Sequence, residues 1–591
     1  NQMNVRLSQD GALGTGMSLQ GLSGENVKIL IDGVPVIGRL NGVIDLTQVN
    51  LQQAKQVEVI EGPMSVIYGS NALAGVINII PKDNTGNRSS ANASAYTESV
   101  GVYNFEGGIG IGRGIHGFSF QAGRNFFDGF QGVRTGREME WKPRRQFNAD
   151  MDYNLSLKKV SFKTRFSLFD ELLLSKGDLL PPYFEKAFDS HFNTQRYTAK
   201  VSLQTKGCNN FSASNSYSYY RRTRSLYYND LTILESNNVD KDTTIFGAWM
   251  SRGMYTYRGT TGLLGFQAGY DLNAEWAGGE RIGGDTRSIT DLAAFFSMQY
   301  QPIEKLSIQP GFRVAYNSKY NTPLIYALHI KTEPLKGASI RASWSAGFRA
   351  PSIKELYLYF VDVNHNIEGN PALKPEESKH LQVQISQKVE HAGFVVGGEL
   401  NLFVNNINNI ITLAESGSGT YTYINVDHYR TRGYSLMMRT SIFPSVDFRV
   451  GYGRTGKSNS FGIAGSESDF RWSPEVTSEL TFRPKKTGLS FSAFYKYTGK
   501  MPRFFVDEQG LISEGQVDDY HNLDMSILKS FYHDRLTVTL GAKNLFDITS
   551  ITATGTDGGI HSGGGSSVPV AWGRTFFAKI NFSIWRNDKK E

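Results

Sequence analysis

The residues of this chain whose types and spacing could do chemistry point to recognition. The run Ile37-Gly38-Arg39-Leu40-Asn41 is the first such place. Gly38 and Gly42 bracket it and let the backbone come close to another molecule. Arg39 offers a planar fork of donors for carboxylate, phosphate or amide oxygens. Asn41 both donates and accepts, and Leu40 adds an apolar contact. Two aromatic pairs, Tyr183-Phe184 and Tyr227-Tyr228, lie in polar stretches. They could stack on a flat ligand, or they could be membrane-interface aromatics, the plainer reading. His365 stands in Asn364-His365-Asn366 with no His-x-x-His or Cys-His spacing near it, so an exposed loop imidazole is the plainer reading there. Cys208 is the sole cysteine, which excludes an internal disulfide. No Gly-x-Ser-x-Gly elbow is convincingly placed, and no glycine-rich loop runs into a helix through Lys-Ser. The expectation is a binding protein with no catalytic residues, no cofactor and no metal site.

Composition bounds the scaffold that must hold these residues. The chain has 591 residues, of which 40% are hydrophobic, a value that suits a soluble protein. No run of 18 apolar residues exists, so no membrane helix can be read. A membrane β-barrel has the same average, because only alternate strand residues face lipid. The 29 Tyr and 37 Phe would supply aromatic girdles, and 62 Gly against 18 Pro suits many turns between long strands. The net charge of +7 is spread along the chain, which argues against a nucleic-acid-binding domain.

Two regions differ in pattern. Residues 1–83 hold short apolar runs, Val27–Ile31, Val57–Ile60 and Val76–Ile80, separated by Gly and Pro. They predict buried strands of a small α+β domain, with a short helix in Leu46–Ala54. Residues 84–591 alternate instead. Phe162, Phe166 and Leu168 oppose Lys163, Arg165 and Ser167. Ile340, Ala342, Trp344 and Ala346 oppose Arg341, Ser343 and Ser345. Leu381, Val383 and Ile385, Leu536, Val538 and Leu540, and Phe576 through Ile584 repeat the pattern. Period two with one wet face means strands. Some 500 residues of it exceed a single sandwich but suit a barrel of about 22 strands at ~23 residues each. Short turns such as Lys158-Lys159 contrast with long polar stretches at 171–192, 223–245, 413–428, 455–470 and 552–573, expected as outer loops. The predicted fold is an all-β membrane barrel of about 22 antiparallel strands, with an N-terminal α+β plug domain (1–83) in its lumen.

Specific residues then match a family. Ile31-Asp32-Gly33-Val34-Pro35, Val57-Glu58-Val59-Ile60-Glu61-Gly62-Pro63, Tyr68-Gly69-Ser70-Asn71-Ala72 and Gly75-Val76-Ile77-Asn78-Ile79-Ile80 resemble, in order and spacing, the plug of TonB-dependent receptors. Phe348-Arg349-Ala350-Pro351, Glu355-Leu356-Tyr357, Gly369-Asn370-Pro371, Leu373-Lys374-Pro375-Glu376 and Lys543-Asn544-Leu545-Phe546-Asp547 resemble its barrel, and Gly573 through Phe582 its closing strand. Gln20 and Glu61 depart from the arginines that many relatives carry there. Six residues follow Trp585, where many relatives end on an aromatic.

The resemblance implies active import of a scarce, bulky nutrient across the outer membrane of a Gram-negative bacterium. It implies cobalamin or an iron chelate, siderophore or haem, as cargo, with the plug run closest to the cobalamin-receptor branch. It implies outer-membrane lipid around the barrel and TonB as partner, through a box absent from this chain. This segment is therefore expected to bind ligand without driving uptake. A surface lipoprotein is the one further partner class it leaves room for; nucleic acid is not a partner. The resemblance also makes Arg39-Leu40-Asn41 a substrate floor and gives His365 a second reading, since haem receptors of the family carry an iron-ligating His in that interval. The competing readings are a passive porin-like channel, which has no plug, a barrel enzyme, for which no catalytic set is found, and a secreted sandwich, which would be soluble without detergent.

Overall fold

A computed structural model describes residues 3–587 apart from 11–13, 23, 40–43, 52–53, 63–64, 71, 83–87, 133–135, 208, 260–261, 363–364, 418–419, 461–468, 507–511 and 555–566. Near the N-terminus a hairpin of β1 (Val5–Asp10) and β2 (Gly14–Leu19) precedes a four-stranded sheet. The sheet runs β4 (Val34–Pro35), β3 (Val27–Ile31), β6 (Gly75–Pro81), β5 (Ala54–Glu61), with β3 and β6 parallel. Val76, Ile77 and Ile79 of central β6 are all buried, which is why its apolar run is continuous rather than alternating. Between β3 and β4 both Asp32 and Gly33 have positive φ, the geometry of a tight hairpin turn.

Two expectations are corrected in this domain. Among the described residues of Leu46–Ala54 the helical part is a single 3-10 turn, Leu46–Gln48, capped by the Asp45 carboxylate on the Thr47 N–H. Asp45 also accepts from the Thr15 N–H, so its carboxylate clips this turn to β2. The run Val57–Ile60 is not a buried strand. It belongs to β5 at the sheet edge, where Val57 stays exposed to a water-accessible space.

The rest of the chain forms a closed barrel of 22 antiparallel strands, from Arg88–Glu98 to Thr575–Asn587, whose first and last strands pair with each other. Connections alternate round the ring: tight turns such as 113–116, 156–160 and 303–306 at one end, longer connections such as 127–144 and 349–376 at the other. Short turns mark the periplasmic end and long connections the outer end. The sequence alternation maps to inside and outside. Arg165 faces the lumen, buried and paired with Asp152 at 2.6 Å, while its neighbour Phe166 is exposed on the outer wall. Leu381, Leu540, Phe576 and Ile580 are likewise exposed, an apolar coat that suits lipid and not water.

A bilayer needs only about 9–11 residues per tilted strand. The strands Asn210–Asp230 and Glu235–Arg258, with 21 and 24 residues, therefore project well beyond it. This corrects the loop reading of 171–192, 223–245 and 413–428. Their described residues, apart from the turns 180–185 and 231–234, are the upper parts of paired strands, and they are polar because above the membrane both faces are wet.

The small sheet domain sits inside the barrel. Gln48 bonds Glu171 at 2.9 Å, Lys200 reaches the Asp32 carboxylate at 2.8 Å, and Arg6 bonds Ser473 at 2.9 Å. At the two departures from the arginine pattern, the Gln20 amide donates to Glu61 at 3.0 Å. Asn401 of the wall donates to the same carboxylate at 3.1 Å, and Asn405 donates to Gln20. Side-chain amides there take the place of ion pairs.

Candidate functional site

A gap toward the outer end lies between the sheet domain and the wall strands Glu235–Arg258, Leu264–Gly279, Arg287–Ile303, Leu306–Asn317 and Ala338–Arg349. It opens to solvent and encloses about 1400 Å³ of space, open solvent included.

Its floor is the segment after β4. Gly38 has φ +91°, and a Cβ there would lie 2.3 Å from the Tyr220 ring, so only glycine lets the backbone lie against this fully buried aromatic. Arg39 lines the cavity, and its guanidinium donates back to the Glu25 carbonyl at 2.8 Å and the Val27 carbonyl at 3.5 Å. Its donor fork thus shapes the floor from within. Leu40 and Asn41 lie outside the described residues.

The wall contributes a charge ladder. Asp271 accepts from both Arg252 and Arg313 at 3.0 Å. Asp291 accepts from Asn317 at 2.7 Å and from the Ser70 hydroxyl at 3.3 Å. The Lys28 ammonium donates to the Ser70 carbonyl at 3.2 Å. Trp276, Met250 and Tyr423 add broad apolar surface.

The roof is the long connection after Arg349. Helix Ile353–Tyr357 begins in a capping box, with Ser352 and Glu355 satisfying each other's backbone N–H. The buried Arg349 guanidinium donates to both oxygens of Glu355 at 3.0 Å and to Glu376 at 2.8 Å, with Glu25 at 3.8 Å. Arg281 and Arg287 lie over the rings of Phe360 and Tyr357, at 3.8 and 4.9 Å from their centroids, and hold the roof from the neighbouring hairpin.

Burial, then the nearby Glu355 charge, pushes the Glu25 carboxyl up to about 8. Folding therefore favours its protonated form. The stability this group provides is full below its ordinary pKa of 4.5 and is lost as pH rises toward 8. Between pH 6 and 9 the melting temperature is expected to fall more steeply, or rise less, in the wild type than in Glu25→Gln, the difference isolating Glu25 from Lys28 and Lys354, which burial pushes down to about 8 and which act with the opposite sign. A variant that keeps the wild-type pH profile would remove Glu25 as the source.

The other sequence-singled residues fall elsewhere. Tyr183 and Phe184 sit exposed in the turn 180–185. Tyr227 lies against His191 and Tyr228 against Phe188, with ring centroids 4.6 and 5.1 Å apart, high on projecting strands. None of the four lines the cavity. His365 opens the short strand His365–Glu368 of the roof segment; its side chain lies outside the described residues. Sequence reasoning missed Arg252, Asp271, Asn273, Trp276 and Arg313. Their only signal is lumen-facing parity, which many strand residues share.

Comparison with known proteins agrees with this architecture. Residues 2–76 match the model of the TonB-dependent receptor plug domain, and 83–545 that of the TonB-dependent receptor-like β-barrel. The vitamin B12 transporter of Vibrio vulnificus is 25% identical over 626 residues, covering 98% of this chain and 88% of that protein. The ferric enterobactin receptor of Pseudomonas aeruginosa is 23% identical, covering 96% and 87%. A crystal structure of a mutant of that receptor superposes with a TM-score of 0.80 at 18% identity, covering 98% of this chain and 94% of that one.

Proposed function

Because the chain belongs to the TonB-dependent receptor family, we propose that the outer cavity is its cargo site and that the cargo is cobalamin. One observation carries the choice, the charge of the lining. Lys28, Arg39, Arg252, Arg313, Arg349 and Lys354 face Asp271, Glu275, Asp291, Glu355 and the largely protonated Glu25, so that most of the positive charge is already matched. Arg252, Arg313 and Arg349 are already bonded to carboxylates. A highly anionic iron chelate would have to break those pairs and leave buried carboxylates unpaired. A bulky ligand of small net charge, bearing amides and one phosphate, needs only hydrogen-bond partners. Asn273 and the backbone at Gly38 and Arg39 offer these, and Trp276 and Tyr423 offer flat apolar contact.

Import is active: a ligand bound tightly at low concentration leaves inward only when work is done on its site. That work comes through TonB acting on the lumenal domain, and the protein is no enzyme. An iron chelate is the second reading, favoured by the ferric enterobactin receptor among its relatives. Calorimetry on detergent-solubilised protein tests the choice. Cyanocobalamin is expected to bind at least tenfold tighter than a ferric tris-catecholate or haem. The reverse order would move the assignment to the iron chelate.

A further inference from the structure

Beneath the helix Ser65–Tyr68 the wall turns a lattice of polar side chains inward. Gln309, His329, Ser343 and Gln382 are register partners on four adjacent strands. They form one row across the lumenal face, about 14 Å long at the usual strand spacing. Two residues nearer the short turns runs a second row, Ser307, Lys331, Arg341, Gln384 and Asn401, again partner to partner. The neighbours Ile340, Trp344 and Leu381 are exposed on the outer wall, which fixes the parity. All nine residues border one space of about 1530 Å³, open solvent included.

Across from the rows stands β5. It is the edge strand of the lumenal sheet, so one side of its backbone has no partner strand among the described residues. Its last three residues, Val59, Ile60 and Glu61, border the same space. Several wall groups are uncommitted as well. The His329 imidazole, the Arg341 guanidinium and the Gln299 and Gln384 carboxamides have no hydrogen-bond or ion-pair partner among the described residues. His329 and Gln309 also line the small gap under Val66 and Ile67. They therefore stand where that gap opens into the lower space.

We propose that this lower space is a second cargo site, which holds a carboxamide-fringed macrocycle in transit and meets it first at His329. The inference rests on the reading that the cargo is cobalamin. The chemistry matches on both sides. Carboxamides both donate and accept, and Gln299, Gln384 and the open edge of β5 offer partners of both kinds. Arg341 offers a donor fork for the single phosphate. The charged residues are of both signs, Lys331 and Arg341 against Glu61 and Glu399, so a highly charged cargo gains little here.

A second site has a physical use. Cargo drawn out of the outer cavity loses its hydrogen bonds there, and polar groups left without partners are costly. A lower set of partners reduces that cost at the point where the helix has to move aside. The lower site has to be the weaker one, because cargo must leave it for the periplasm. Its width ensures this, since water competes for every group in it.

The test uses the full chain in detergent, with cyanocobalamin as the probe and native mass spectrometry as the readout. Two binding events are expected, the second at least a hundredfold weaker than the first. The triple variant H329L/R341L/Q384L is expected to weaken the second event at least tenfold and to leave the first within twofold. It should keep the heat-resistant gel mobility of a folded barrel. If it fails to fold, S343W, which sets an indole into the first row, is expected to abolish the second event. Absence of a tight event would overturn the cargo reading and this inference with it. A tight event with no second one would overturn the transit site alone. So would a second event that the variant leaves unchanged, or equal weakening of both events.

Discussion

Replacing Arg349 by alanine is expected to release the roof of the outer cavity and to cost about 3–5 kcal/mol of stability, the usual loss when one partner of a buried ion cluster is removed. The side chain is 3% exposed and joins three carboxylates from three places: Glu355 of the roof helix, Glu376 of the next wall strand and Glu25 of the lumenal domain. Without it, Glu355 and Glu376 remain buried beside each other with no cation between them. Glu376 still accepts from the Ile411 N–H at 2.7 Å, and that neutral donor cannot offset the charge. The roof helix is the part free to move, so the carboxylates are relieved by swinging it open. Thermal melts followed by near-ultraviolet signals should show the loss, and cargo affinity should fall by more than tenfold. The triple variant R349M/E355Q/E376Q should recover much of the stability, because no buried charge is then left alone. An R349A protein with wild-type melting and affinity would show that the cluster holds nothing together.

Import itself should stop when the helix Ser65–Tyr68 is pinned to the wall. This segment separates two spaces. Above it, Ser70, Asp291 and Arg313 belong to the outer cavity. Below it, Glu61, Gln309 and His329 line a cavity of about 1530 Å³ toward the short-turn end. Val66 and Ile67 stand between, over a small gap lined by Ser297, Gln309, Gly311, Ala327 and His329. Val66 packs with Ile325, Ala327, Phe348 and Ala350 of the wall. A Cβ on Gly311 would lie 3.3 Å from a Val66 methyl, a separation that a disulfide can span with little backbone movement. The oxidised V66C/G311C protein, expressed in cells, should bind cargo normally and import it at background rate. Reductant should restore import. Wild-type import by the oxidised protein would mean that cargo passes on another side of the lumenal domain.

The sequence by itself determined the class of this protein. Period-two alternation over some 500 residues leaves each strand one apolar and one wet face, and a closed membrane barrel satisfies that demand over such a length. The tight turn at Asp32-Gly33 and the continuous run of β6 made the lumenal sheet equally legible, because they reflect local backbone geometry and burial on both faces. Arg349 and Glu355 were visible within the barrel signature, though not their joint role.

The site was decided only by the tertiary structure. Alternation tells which residues face inward but not which inward residues meet round a 22-strand ring. Asp271 lies between Arg252 and Arg313 because three strands bring positions 19 and 42 apart to one height. Arg39 read as a fork open to cargo; two of its nitrogens bond backbone carbonyls of its own domain, an orientation set by how that segment lies over β3. Tyr183, Phe184, Tyr227 and Tyr228 read as loop or girdle aromatics, but strand length carries them onto hairpins above the membrane. Local chemistry is written in residue order, whereas a cavity between a barrel and its lumenal domain is made by register and closure, which no single segment encodes.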